Sequence, residues 1–177
     1  MESVILVDAM DRPRGLMEKM EAHIKAELHR AFSVFIFNHK GETMLQRRAL
    51  SKYHSPGLWT NTCCSHPREG ESVEGAALRR MEEEMGFTTE VNKVFDFVYK
   101  AEVGQGLIEH EFDHVLIGFY ENAPALNPDE AMDWKWMNMA DITSEMETNP
   151  ERFTVWFRIA FPRLKAFVDE KMNFDNV

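Results

Sequence analysis

The sequence has little of three things that mark particular classes of protein: cysteine, excess positive charge and long apolar runs. Its only cysteines, Cys63 and Cys64, are adjacent, and a disulfide ring closed between neighbours would be strained, so a disulfide framework is excluded. Twenty Lys and Arg face 30 Asp and Glu, a formal net charge of −10, which argues against a nucleic-acid partner. No apolar run could span a bilayer and no targeting segment is visible. We therefore expect a cytoplasmic protein without a membrane partner.

The length and the charge distribution say more about what is present. A chain of 177 residues, 44% of them hydrophobic, has the size of one globular domain, so residues 1–177 are expected to form a single domain. Residues 1–68 hold 10 Lys and Arg against 7 Asp and Glu, whereas residues 69–177 hold 10 against 23. Such an asymmetry fits an anionic ligand that meets basic groups from the first part and cations held by the second, although charge runs more often only solvate a surface.

The pattern of apolar residues predicts a mixed α/β sandwich. Residues 72–85 have a helical period, with Ser72 as the N-cap and Gly86 as the stop. A turn is predicted around residues 11–15, and residues 48–70 form a long segment with little periodicity, which is a length often associated with function. Strands are predicted at 3–7, 31–37, 43–47, 94–101, 112–120 and 133–137.

The predicted helix carries an acidic motif. Glu71, followed after seven residues by RRMEEEMGF at 79–87, resembles the Nudix box, in which carboxylates on one helical face grip the divalent cation that neutralises a diphosphate. Two positions depart from that pattern: Ser65 replaces the opening glycine, and Arg80 replaces a glutamate. Losing that carboxylate disfavours hydrolysis. The ordinary alternative is that Arg80 and Glu84 are merely a surface pair four residues apart.

The long segment before the helix carries a more specific resemblance. Residues 51–67, which contain the string PGLWTNTCCSHP at 56–67, are similar to the active-site loop of type I isopentenyl diphosphate isomerase. Further matches follow in the same order along the chain: LHRAFS at 28–33, QRRALSK at 46–52, EHE at 109–111 and Trp156. The resemblance covers most of residues 1–160. It implies an α/β (α+β) fold of the Nudix type, with a mixed β-sheet sandwiched between helices.

The resemblance also implies two acid/base groups. It makes Cys64 and Glu111 the catalytic pair and Tyr99 a group that helps Glu111 handle its proton. Moving a double bond by one carbon needs one proton added and another removed, and a thiol is a compact acid for an apolar pocket. A free cysteine is more often a small buried hydrophobe, a reading that fits Cys63 better. For Tyr99, the alternative is an ordinary strand tyrosine.

Two cation sites follow from the same resemblance. Glu84 would hold Mg²⁺ against the diphosphate, while a second site would hold Mn²⁺ or Zn²⁺. Glu109 and Glu111 are two residues apart, so on a strand both face one side and His110 faces the other. Taken singly, each histidine is more often a surface or hydrogen-bonded residue than a ligand. The ligands expected at the second site are His23, His29, His66, Glu109 and Glu111, a set that leaves room for one more ligand in an octahedron.

The remaining matches concern the substrate, a small isoprenoid diphosphate. Basic residues at Lys19, Arg48, Lys52 and Arg80 would meet the diphosphate; their alternative is solvated surface. A C-terminal helix at about 151–171, interrupted at Pro162, would cover the active site. Its Trp156 would lie over the substrate carbons, where an indole face stabilises a desolvated cation by about 2 kcal/mol, although core packing also explains so aromatic a helix.

We expect, from this resemblance, metal-dependent interconversion of isopentenyl and dimethylallyl diphosphate by protonation and deprotonation, carried out by a monomer. Two alternatives compete with it. One is a Nudix pyrophosphohydrolase of nucleotide or isoprenoid diphosphates, against which Arg80 speaks. The other is a noncatalytic metal- or diphosphate-binding module, against which the coexistence of Cys64, Glu111 and Trp156 speaks.

Overall fold

The computed structural model describes residues 1–172; the last five residues of the predicted domain, 173–177, lie outside the described residues. The strands within this range are β1 (Ser3–Val7), β2 (Pro13–Glu18), β3 (His29–Phe37), β4 (Glu42–Arg48), β5 (Trp59–Thr60), β6 (Cys63–Ser65), β7 (Val91–Gly104), β8 (Leu107–Phe119) and β9 (Ala131–Asn138). The helices are α1 (Lys19–Lys25), α2 (Val73–Met85), α3 (Met139–Thr148) and α4 (Val155–Lys171), with a 3₁₀ turn at Pro150–Arg152. No helix in the described range is both long and apolar enough to cross a membrane.

Strand β3 lies at the centre of a mixed sheet. It pairs in parallel with β8, from His29 opposite Glu111 to Phe37 opposite Phe119. On its other edge it pairs antiparallel with β6 and, at one position, with β4. Strand β7 extends the sheet beyond β8. The catalytic candidates on β6 and β8 therefore flank one buried strand.

The two faces of the sheet are covered by different helices. Alternate residues of a strand point to opposite sides, so β3 contributes side chains to both cores. One core contains Phe32, Val34 and Ile36 of β3 together with Ala76, Ala77, Met81 and Met85 of α2. The other core contains Phe35 and Phe37 of β3 together with Trp156, Phe157, Phe161 and Leu164 of α4. The predicted sandwich of a mixed sheet between helices is confirmed.

Both predicted ends of α2 are confirmed. The Ser72 hydroxyl accepts a hydrogen bond from the Gly75 amide at 3.0 Å, which satisfies a free N–H of the first turn. Gly86 has φ of 67°, in the left-handed region, and its amide donates to the Glu82 carbonyl at 3.1 Å. A Cβ built at Gly86 would lie 2.3 Å from the Ala125 carbonyl oxygen.

Gly86→Ala is therefore expected to lower the free energy of unfolding by more than about 2 kcal/mol, since it adds left-handed strain to a backbone clash. Urea denaturation of the variant and the wild type measures this loss. Gly70→Ala is the matched control: φ there is 82° with nothing within 4 Å of a built Cβ, so only the strain of about 1 kcal/mol remains. Equal losses in the two variants would contradict the clash at Gly86.

Three predictions near the chain ends are wrong. The turn predicted around residues 11–15 ends early, because β2 begins at Pro13 as an edge strand against β1, and an edge position tolerates proline. The C-terminal region is not interrupted at Pro162. Helix α4 runs through this residue, which is exposed while Phe161 and Leu164 beside it are buried, so packing compensates for the lost backbone hydrogen bond. The helix begins at Val155 rather than at about 151.

Candidate active site

Most of the predicted site residues line one cavity of about 130 Å³ between the sheet and the loops at its edge. The predicted residues that line it are Lys19, Arg48, Lys52, Cys64, His66, Arg80, Glu84, Glu109, Glu111 and Trp156. The other predicted residues, His23, His29 and Tyr99, are buried and lie beside the carboxylates of Glu109 and Glu111. Residues far apart in the chain are thus brought to one place.

Three imidazoles, those of His23, His29 and His66, lie close together at this site. The ring centroids of His23 and His29 are 5.1 Å apart, and those of His29 and His66 are 5.0 Å apart. The Nδ1 groups of His23 and His29 donate to the carbonyls of Lys19 and Glu27 at 2.7 and 2.8 Å. This fixes the tautomer, so Nε2 is the nitrogen free to bind a metal in each ring.

The free nitrogens are placed as a metal would need them. Within residues 1–172, His23 Nε2 and His29 Nε2 are buried and make no hydrogen bond, which is costly for a polar atom unless something else binds it. One donor atom each from His23, His29 and His66 lie within 4.8 Å of one another. The residues present therefore fit a divalent cation.

Strand β8 supplies the carboxylates. Glu111 lies opposite His29 of β3 and opposite Tyr99 of β7, and cross-strand neighbours share a face. Its Oε2 lies 2.8 Å from His66 Nε2 and 3.3 Å from His29 Nε2. Tyr99 contacts Glu111 through its hydroxyl and lies 2.8 Å from Glu109 Oε2. The expectation that both glutamates face one side is confirmed.

His110, between these two glutamates, faces the other way, as expected. Its Nδ1 lies 2.9 Å from the Ala26 carbonyl oxygen, and it does not line the cavity among the described residues. The alternation of β8 therefore separates the two glutamates of the site from a histidine that contacts the end of α1.

Burial and neighbouring charges shift the pKa values of this cluster in different directions. Burial lowers the pKa of His23 to about 4, so the ring is neutral, as a ligand must be. Burial and the charge of Glu111 raise the pKa of Glu109 well above its usual value. Burial acts the same way on Glu111, but His29 and His66 outweigh it and lower the pKa of that carboxyl.

Adjacent cysteines face opposite sides of β6. Cys63 is fully buried in the core beneath α2, whereas Cys64 lines the cavity. The Cys64 thiol donates to Asn61 Oδ1 at 2.9 Å and lies 3.6 Å from the Ser33 hydroxyl. Burial and the charge of Asp113 raise the pKa of Cys64, so the thiol keeps its proton at neutral pH.

Asn61 and Ser33 were not identified from the sequence as site residues. The Asn61 amide donates to the carbonyls of Val34 and Cys63, both at 3.0 Å, which fixes the oxygen that accepts from Cys64. Ser33 lies directly across the sheet from Cys64. The signal that could have found Asn61 is its place inside the TNTCCSHP string.

The predicted diphosphate-binding residues are held mostly by carboxylates. Lys19 Nζ lies 2.7 Å from Glu2 Oε2, and Lys52 Nζ lies 2.6 Å from Glu130 Oε2. Arg48 makes no salt bridge within the described part of the chain; its guanidinium lies 5.1 Å from the Trp156 ring centroid and donates to the His54 carbonyl. These cations line the cavity and can exchange their present partners for an anionic ligand.

Arg80 and Glu84 do form a pair, with Arg80 Nη2 donating to Glu84 Oε1 at 2.6 Å. The pair is not a surface contact, because Glu84 is buried and both residues line the cavity. The second oxygen of Glu84 accepts from Gln46 Nε2 at 2.9 Å. Glu84 therefore presents a fixed carboxylate to the cavity, next to a fixed cation.

Comparison with known proteins gives the same assignment. A model of the NUDIX domain matches residues 27–157. Isopentenyl-diphosphate Delta-isomerase 2 of Aromatoleum aromaticum is 50% identical over 163 residues, covering 92% of this chain and 86% of its own. The chain belongs to the isopentenyl-diphosphate Delta-isomerase family. The Serratia proteamaculans isopentenyl-diphosphate Delta-isomerase is 53% identical over 156 residues, 88% of this chain and 87% of its own.

The fold of this isomerase-family chain is also that of a solved structure with little sequence similarity. DR0079 from Deinococcus radiodurans superposes with a TM-score of 0.75 at 18% identity, over 92% of this chain and 98% of its own. At this identity the likeness concerns the fold alone. It agrees with the sandwich described above.

His54 is one of the cavity-lining residues that were not identified as site residues from the sequence. His54 lies in the segment between β4 and β5, and its Nε2 is 3.5 Å from Glu109 Oε1. Burial lowers the pKa of His54 to about 3, so the ring is neutral. Its segment has no periodicity to fix the direction of a side chain, and the resemblance, which covers the segment, gave this residue no role.

Proposed function

We propose that the chain interconverts isopentenyl diphosphate and dimethylallyl diphosphate, with Cys64 and Glu111 exchanging protons with the substrate carbons. The observation that carries the proposal is that a protonated thiol and a carboxylate line one small cavity together with a row of basic groups. In the forward direction one group delivers a proton to the terminal carbon and the other removes one from C2, so the double bond moves by one carbon. Their roles reverse in the opposite direction.

The surroundings of Cys64 suit this role. The hydrogen bond to Asn61 and the contact with Ser33 hold the sulfur at the cavity wall, which fixes the distance over which a proton must move. A compact thiol that stays protonated can meet a hydrocarbon without bringing a charge into its surroundings.

We propose that a divalent cation, Mn²⁺ or Zn²⁺, is held by His23, His29, His66, Glu109 and Glu111, which is the set of donors described above. When bound, such an ion supplies a positive charge that tunes the acidity of its carboxylate ligand. Tyr99 positions that carboxylate from behind through its hydroxyl. In this proposal Glu111 works both as a ligand and as a proton carrier.

The basic residues of the cavity suit the diphosphate. Arg48, Lys52, Lys19 and Arg80 supply positive charge there, and Glu84 would hold Mg²⁺ beside the same phosphates. Binding energy gained from the diphosphate can be used to hold the small apolar tail between the two acid/base groups.

Trp156 adds an aromatic ring to the cavity. It is 4% exposed, and its indole meets the Arg48 guanidinium and the edge of His54. Protonation of the terminal carbon creates a tertiary carbocation, and an aromatic face in a desolvated site stabilises such a cation by about 2 kcal/mol. Core packing, the alternative for this helix, accounts for Phe157 and Phe161, which do not line the cavity among the described residues.

A hydrolase is the less favoured function. The position at which the Nudix box has a glutamate holds Arg80, whose guanidinium pairs with Glu84 and lies 3.4 Å from Glu130. One carboxylate that would hold metal and activate water is therefore missing. Both cysteines are free thiols, and we therefore propose that the chain works in the reducing cytoplasm. We also propose that the working form is a monomer.

The test is incubation of the purified chain with isopentenyl diphosphate, Mg²⁺ and Mn²⁺ in deuterated water, followed by NMR and a phosphate assay in parallel. We expect dimethylallyl diphosphate with deuterium in a methyl group, further exchange at C2 on reversal, and no free phosphate. Phosphate release would instead indicate the hydrolase. An unchanged ligand, with metal demonstrably bound, would indicate a binding module.

A further inference from the structure

A fourth imidazole faces the three-histidine cluster. The His54 side chain is 3% exposed, its Nε2 lies 3.5 Å from Glu109 Oε1, and its ring centroid is 6.3 Å from that of His23. Donor atoms of His23, His54 and Glu109 lie within 4.8 Å of one another. This group shares His23 with the group formed by His23, His29 and His66.

The direction of the His54 ring is fixed by its neighbours. Its Nδ1 lies 3.2 Å from the Ser55 hydroxyl, so Nε2 is the nitrogen directed at Glu109. The ring meets Tyr53 and Trp156 edge to face, with centroid distances of 4.5 and 5.5 Å. Arg48 donates to the His54 carbonyl at 3.1 Å. A side chain held on this many sides does not turn away from the cluster without disturbing the cavity wall.

The two groups of donors describe one ion rather than two. His23 has a single nitrogen to offer, because its Nδ1 is hydrogen-bonded to the Lys19 carbonyl. An ion bound to His23 Nε2 is therefore the same ion in both groups. With metal–nitrogen bonds of about 2.1 Å, ligands on opposite sides of one ion are about 4.2 Å apart, and the three donor atoms of each group lie within 4.8 Å of one another.

We infer that His54 is an additional ligand of the metal site, binding through Nε2 the ion that His23 and Glu109 hold. This inference rests on the metal site of the proposed function and extends it by one residue. With His54, four imidazoles and two carboxylates surround the ion, which is a full octahedral set. A donor set rich in imidazole favours Zn²⁺, Co²⁺ or Ni²⁺ over Mg²⁺, so the residue also bears on which metal the site selects.

A structural alternative is that His54 only hydrogen-bonds Glu109 from outside the coordination sphere. Substitutions of His54 can distinguish the two roles. A glutamine can offer a hydrogen-bond donor but is a poor metal ligand, whereas alanine removes both functions and leaves a space that free imidazole can enter. His54→Gln and His54→Ala together therefore separate a ligand from a hydrogen-bonding partner.

The experiment uses the full-length chain, stripped of metal with a chelator and then titrated with Co²⁺ and with Zn²⁺. Affinity is measured by chelator competition, and the cobalt absorption spectrum reports the coordination number. We expect both variants to lose at least about 100-fold in affinity, the upper end of what an outer hydrogen-bonding partner costs. We also expect stronger cobalt absorption, because five-coordinate cobalt lacks the symmetry of the six-coordinate ion. Added imidazole should restore the wild-type spectrum of His54→Ala.

The matched control is His110→Gln, which removes a half-buried histidine on the opposite face of β8 and should leave both readouts unchanged. Circular dichroism of the metal-free variants checks that each one folds. A His54→Gln spectrum and affinity equal to wild type would overturn the inference while leaving the five-ligand site intact. If the wild-type chain itself bound no cobalt or zinc, the proposed metal site would fail, and the inference with it.

Discussion

The Cys64→Ser variant is expected to lose isomerisation activity by about 10²- to 10⁴-fold, which is the usual range for removal of a general acid or base. The hydroxyl keeps the approximate shape and the hydrogen bond to Asn61, which the thiol makes at 2.9 Å. It is a weaker acid than the thiol, so proton transfer to and from a carbon atom suffers. Turnover measured by NMR, with metal content measured in parallel, tests this.

Metal content should be unchanged in Cys64→Ser, because among the described residues the groups of donor atoms that could hold an ion include no cysteine. This separates a lost acid/base group from a collapsed site. A variant that had lost both turnover and metal would show that the substitution disturbs the whole cavity.

The neighbouring Cys63 supplies the control. Its side chain is fully buried beside Ala76 and Met81 and does not line the cavity among the described residues. Cys63→Ala should keep its turnover and lose about 1 kcal/mol of stability, as expected for a small buried hydrophobe made smaller. An inactive but folded Cys63→Ala, or an active Cys64→Ser, would contradict the assignment of the catalytic thiol.

The parts of the fold that could be predicted from the sequence are those whose signal is local. Helix α2 has an N-cap, one apolar stripe and a terminal glycine within a few residues of each other, and the structure has all three. The two-residue spacing of Glu109 and Glu111 fixes their common face once they lie on a strand. The resemblance that rests on the string TNTCCSHP predicted that residues far apart in the chain form one site.

The rest depends on tertiary contacts that leave no local pattern. The last strand, β9, continues directly into α3 at Asn138, which caps the helix, but no helix was predicted there. Pro162 looked like a break because the helix-breaking tendency of proline is local, whereas the burial of Phe161 and Leu164 that holds α4 together is not. His54 reaches the metal cluster only through the fold of an aperiodic segment.

Glu111→Gln should have the widest effect of any single substitution, because two functions meet on one carboxylate. We expect turnover to fall by at least about 10³-fold, within the range for a lost acid/base group, and metal affinity to fall as well. The charge that His29 and His66 face would be gone, and an amide is a poor ligand for the proposed ion. NMR turnover and chelator competition on the same sample measure the two losses.

A control for charge alone is Glu102→Gln on β7, whose side chain is exposed and which should leave both quantities unchanged. The two losses of Glu111→Gln must also be distinguished from each other. If saturating Mn²⁺ restores metal content but not turnover, Glu111 carries a proton in addition to binding metal. If it restores both, the residue acts only as a ligand and the second acid/base group must be sought elsewhere in the cavity, with Glu109 as the nearest carboxylate. The double role is contradicted outright if the variant retains both turnover and metal, since neither function would then depend on the carboxylate charge.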